Sequence, residues 1–61
     1  MNKKIRREIK WMYLQLAEMY LQLARIYKQM EDADEETTEH LMELATAIEY
    51  QIINLKAEFC L

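Results

Sequence analysis

Apolar residues recur along the first half of this chain at Ile5, Ile9, Met12, Leu16, Met19, Leu23, Ile26 and Met30, with steps that alternate between four and three. Steps of that kind return to one face of an α-helix and form an a/d seam. They predict a helix from about Lys3 to Glu31. The second half repeats the pattern at Leu41, Ala45, Ile48, Ile52, Leu55 and Phe59, with Leu44 beside it, and predicts a helix from about Glu35 to Cys60. Between them, at 32–34, the apolar period breaks inside the acidic run 31–36. Asp32 or Asp34 can cap the second helix, and Asp32 with Glu35 makes a D-x-x-E form of the capping box. Glu35 and Glu36 fall in its first turn, where the helix dipole favours negative charge. A short turn between two long helices predicts an antiparallel hairpin. The expected class is all-α, a hairpin that self-associates into a four-helix bundle or a larger helical assembly, with one domain over 1–61.

The first helix carries more apolar surface than one seam needs. Tyr13, Ala17, Tyr20, Ala24 and Tyr27 form a second stripe beside the first, with Leu14 and Leu21 further round. What remains polar is a narrow strip of Gln15, Glu18, Gln22, Arg25 and Gln29. An apolar arc wider than about 100° marks a helix covered on two sides. The second helix shows a weaker version, with Met42, Tyr50, Ile53, Ala57 and Cys60 off its seam. One cover is the hairpin mate. The other is expected to be another copy of the chain, so Tyr13, Leu14, Ala17, Tyr20, Leu21, Ala24, Tyr27, Met42 and Ile53 are the expected oligomer interface. A foreign helix or peptide, a membrane surface or a small molecule are the other ways to cover it.

The stripe also repeats itself. Met12–Ala17 and Met19–Ala24 are the same six letters, Met-Tyr-Leu-Gln-Leu-Ala, seven positions apart. Packing fixes only the a and d positions, so identity at the others points to recent duplication or to a designer. The chain holds no Gly and no Pro, which fits near-complete helix. Together these features read as a designed helical hairpin. The turn Asp32-Ala33-Asp34-Glu35, joining two helices in a chain of this length, resembles the turn of the Rop (repressor-of-primer) family. That resemblance implies a hairpin that dimerises into an antiparallel four-helix bundle and, in the family, binds paired RNA loops through its first helices. With the turns aligned, the RNA-contacting positions fall here on Ile5, Met12, Leu16, Tyr20 and Tyr27, which do not carry that polar chemistry. Ala17-Glu18-x-Tyr20-x-x-Leu23-Ala24-x-x-Tyr27 is also similar to the first helix of a tetratricopeptide repeat, though the second helix does not follow that pattern.

Composition narrows what such a chain can be. At 61 residues it buries little core, and chains this short usually need a disulfide, a metal or oligomerisation. Cys60 is its one cysteine and His40 its one histidine, so neither an intrachain disulfide nor a multi-histidine site is available. With 52% hydrophobic residues, oligomerisation is the remaining aid. No uncharged run approaches the ~20 residues of a membrane span, and the start lacks the pattern of a secretory signal. A soluble chain, cytoplasmic in an expressing cell, is expected.

Charge is sorted. Lys3, Lys4, Arg6, Arg7 and Lys10 make one end basic, and Glu31, Asp32, Asp34, Glu35, Glu36, Glu39 and Glu43 make the turn end acidic. Cations in the first turns of a helix oppose its dipole. An antiparallel dimer would set each basic end beside the other copy's acidic turn, an arrangement that fixes orientation. The alternative is an anion or nucleic-acid patch at Lys3, Lys4, Arg6, Arg7 and Lys10, against which stand the net charge of −3 and the acidic half. His40 between Glu36 and Glu43 resembles half of a carboxylate–histidine metal site. The E-x-x-H spacing of bundle metal centres would need an acid where Thr37 stands, so a surface histidine is expected. Cys60 reads as a small hydrophobe or a frayed thiol, with interchain pairing the alternative. Trp11 lies on the polar side. No nucleophile–base pair, phosphate loop or inward carboxylate pair is present, so neither catalysis nor a cofactor is expected.

Overall fold

The computed structural model describes residues 2–59. Two helices, α1 (Lys3–Met30) and α2 (Glu35–Glu58), lie side by side as a hairpin. Among the described residues there is no strand. The chain is all-α.

Each helix starts at a side-chain cap. Asn2 is extended (φ −78°, ψ 168°), and its Oδ1 accepts from the Ile5 amide at 2.9 Å. Asp34 has the same geometry (φ −74°, ψ 175°) and accepts from the Thr37 amide at 2.8 Å. Both satisfy an amide that the helix itself cannot reach. Of the two acids offered by the sequence, Asp34 is therefore the cap, and Asp32 lies within the turn. Glu31 closes α1 in right-handed helical geometry (φ −54°, ψ −38°), its amide donating to the Lys28 carbonyl. The Ala33 amide donates to the Met30 carbonyl at 3.3 Å. α2 stops at Glu58, with Phe59 as its cap; Cys60, where periodicity placed the limit, lies outside the described residues.

Among the described residues, six side chains form the buried core: Met12, Leu16, Leu23, Leu41, Ala45 and Ile52. All belong to the two seams. Ile9, Met19, Ile26, Met30, Ile48, Leu55 and Phe59 are half-covered against it. Ile5 departs from the seam reading, being 43% exposed. Its position explains this. Lys56 sits over the Tyr20 ring, 5.7 Å from the centroid. From that level α2 continues only three more residues to Phe59, whereas α1 runs on for 17 to Lys3. The basic start of α1 therefore extends past the last described residue of α2, and among the described residues none of α2 lies opposite Ile5.

Candidate association face

At 100° per residue, three strips follow one another round α1 from the Leu16 seam position. Tyr13, Tyr20 and Tyr27 come first, Ala17 and Ala24 next, Leu14 and Leu21 beyond them. All seven are exposed in the hairpin. Cross-helix contacts show which side of α2 adjoins this surface. The Tyr27 hydroxyl donates to Glu49 Oε1 at 3.1 Å, and Lys56 covers Tyr20. Glu49 and Lys56 are seven apart, as are Tyr27 and Tyr20, so the same heptad positions of the two helices meet twice. Ile53 lines a surface hollow with Tyr20, Glu49, Ile52 and Lys56. Tyr50 shares a neighbouring one with Thr46, Glu49 and Ile53. Met42, one heptad before Glu49, continues that strip and is exposed.

All nine expected interface residues are exposed in the hairpin; the Tyr and Ala strips of α1 and Met42 and Ile53 of α2 flank the seam on one side, and Leu14 and Leu21 continue round α1 toward its outer edge. The other side of the seam has a hollow of its own. There Gln22 and Arg25 of α1 line a hollow with Ile26, Leu44, Ala47, Ile48 and Gln51 of α2. Two participants escaped the sequence reading, Glu49 and Lys56, which reach the tyrosines. Tyr50, named off the seam but not in the expected interface, is 63% exposed beside Ile53. Pairing equivalent positions of two antiparallel heptads would have found Glu49 and Lys56.

The electrostatics of the face are local. Accepting the hydrogen bond holds the Glu49 carboxylate against the Tyr27 hydroxyl; that bond, then the negative charge, then partial burial raise the phenol above its ordinary value of 10.0. At the turn, the Thr37 amide and side chain both stabilise ionised Asp34 and lower its carboxyl from 3.8. The charge-sorted ends are real surfaces. Lys3, Arg6, Arg7 and Lys10 surround one shallow hollow, and Glu36, Thr37, Glu39, His40 and Glu43 surround another on α2. His40 is exposed, and among the described residues no cluster of three potential ligands could hold a metal ion. Trp11 is also exposed, away from the tyrosine strip. No described helix is long and apolar enough to cross a membrane.

Comparison with protein-family models, with curated proteins and with solved structures finds no match to this chain. The reading of its role rests on its own residues.

Proposed function

We propose that this chain is a structural self-association module, a helical hairpin whose Tyr/Ala/Leu face packs on a second copy to complete a four-helix bundle. The observation that carries this is the exposed, contiguous apolar face itself. Among the described residues, eight large hydrophobic side chains of this surface are exposed, against six buried residues in the core. Contiguous patches of that kind mark association sites. The hairpin exposes 5194 Å², about 950 Å² more than the ~4,250 Å² expected of a compact chain of its mass. One partner in a standard protein–protein interface contributes about 800 Å². A radius of gyration of 14.8 Å against ~10.5 Å for a compact chain of this length supports the same reading. Opposite charge at the two ends of a 50 Å molecule favours the antiparallel orientation, since a parallel pair would bring like charges together. Neither catalysis nor a cofactor forms part of this role, and the repeated heptad fits a chain designed for it.

Mass in solution by light scattering, for the parent and for Tyr20→Glu, tests the proposal. A charge forced into a dry contact is destabilising. The parent is expected to run as an oligomer and the variant as a monomer with reduced helicity. Unchanged mass and helicity in Tyr20→Glu would mean that the stripe faces water. A Rop-like RNA-binding role is the second reading, favoured by the hollow among Lys3, Arg6, Arg7 and Lys10. Electrophoretic mobility shift with paired RNA loops at low and moderate salt tests it.

A further inference from the structure

From the symmetry of its pattern, and resting on the self-association reading above, we infer the register of the dimer: a twofold axis crosses α1 between Tyr20 and Leu21 and α2 between Ile52 and Ile53. For two hairpins stacked face to face, an antiparallel twofold lies in the contact plane, perpendicular to the long axis. It sets α1 against α1 and α2 against α2. A twofold along the bundle would instead set α1 against α2, with like ends together. The two cases make different demands on the sequence. Only the first requires each helix face to be complementary to its own reversal.

The α1 face meets that requirement about one point. Ala17 and Ala24 are equidistant from the midpoint of Tyr20 and Leu21, and so are Lys10 and Glu31. Small residue would face small residue, and cation would face anion. Lys10 and Glu31 mark the two ends of that match, which brings the overhanging basic turns of one copy toward the acidic turn of the other. The overhang acquires a neighbour that its own α2 does not supply.

α2 has a midpoint of its own. Its e-type strip carries two charges beside the apolar face, Glu49 and Lys56, which are of opposite sign and have their midpoint between Ile52 and Ile53. Reversal about that point sets Glu49 of each copy beside Lys56 of the other. Ile52 and Ile53 share a hollow with Tyr20, so the α2 midpoint and the α1 midpoint lie beside one another in the folded hairpin. The two helices, unrelated in sequence, are each self-complementary about neighbouring points, which the inferred axis joins.

Pulsed electron-spin distance measurements test the register on full-length chains carrying Cys60→Ser and a single spin label at Glu8→Cys or at Arg25→Cys. Both sites are exposed and lie off the apolar strips. The inferred axis separates the two Glu8 labels by about 38 Å along the bundle and the two Arg25 labels by about 14 Å, from 1.5 Å per residue. A parallel dimer would hold both pairs level, within roughly two helix diameters, about 20–24 Å, and would overturn the inference while leaving self-association intact. A Glu8 distance shifted by about 10 Å would mark a slip of one heptad and would also overturn it. Monomeric mass of the labelled chains, with the unlabelled Cys60→Ser chain dimeric, is answered by a second pair of variants. Lys10→Glu is expected to raise the dimer Kd several-fold, and adding Glu31→Lys to restore it; absence of rescue overturns the register. A monomeric Cys60→Ser parent overturns both the register and the proposed function.

Discussion

Tyr27 donates its hydroxyl to Glu49 across the hairpin, 3.1 Å from oxygen to oxygen. The bond joins two exposed residues 22 positions apart. Its partner one heptad away is the contact of Lys56 with the Tyr20 ring. A cation–π contact at an exposed site is worth about 0.5–1 kcal/mol, too little to hold two helices together. These contacts fix alignment, and the seam supplies adhesion.

Glu49→Gln removes the carboxylate that raises Tyr27. The Tyr27 ring signals, followed by NMR against pH, should then titrate closer to 10.0 than in the parent chain. The sign follows from linkage. A phenol raised by folding contributes stability that is complete below its unfolded pKa and disappears as pH rises through the folded one. The parent should therefore lose more stability than Glu49→Gln across that alkaline range. Equal titration in the two chains would show that the bond does not form in solution.

Asp34 works at the opposite end of the pH scale. Its carboxyl is lowered on folding, so its contribution is complete above the unfolded value of 3.8 and is lost as pH falls through the folded one. Asp34→Ala should lower the thermal midpoint at neutral pH, and the gap from the parent should narrow in acid. Asp34→Asn keeps an acceptor for the Thr37 amide and should stay near the parent while losing the acid dependence. Melting curves followed by circular dichroism at several pH values check both.

Core and face should respond differently to truncation. Met12 is 1% exposed, and Met12→Ala is expected to cost about 2–5 kcal/mol. That loss should appear at every protein concentration. Leu21→Gln changes an exposed position of the face; it should reduce oligomer mass and make the melting midpoint depend more strongly on concentration. Denaturant melts over a concentration series, read with light scattering, separate the two responses. A Leu21→Gln chain that keeps its mass would remove Leu21 from the contact.

The basic end should not serve as a polyanion site. Retention of paired RNA loops at micromolar protein is expected to be absent at moderate salt. Were it present, converting Lys3, Lys4, Arg6 and Arg7 to Gln should abolish it, and log K should fall linearly with log salt. A submicromolar complex would favour the Rop-like reading.

The helical hairpin could be read from the chain because its signal is periodic. Residues from Ile9 to Met30 and from Leu41 to Phe59 keep one alternation, and in both halves the buried residues belong to it. Local chemistry was harder to see. Asp32 and Asp34 both suit a cap, and only the path of the turn selects Asp34. Asn2 caps α1 so close to the start of the chain that no preceding break in the pattern announces it. Ile5 fits the seam perfectly in sequence yet stays exposed, because periodicity does not say where the other helix ends. Tyr27 and Glu49 carry no separate signal either; their meeting depends on how the two helices align.

The six-residue repeat Met-Tyr-Leu-Gln-Leu-Ala makes the α1 face nearly invariant to a slide of seven residues. An apolar surface with translational symmetry cannot by itself choose where a second copy stops, because a shift of about 10.5 Å along the helix presents the same Tyr, Ala and Leu again. Only features outside the repeat break that degeneracy: Lys10 and Glu31 at its borders, and Glu49 and Lys56 on the neighbouring helix. In a bundle built on this face, binding strength and positional accuracy would come from different residues, and salt, which screens exposed charge and leaves apolar contact in place, would loosen the alignment before it separated the copies.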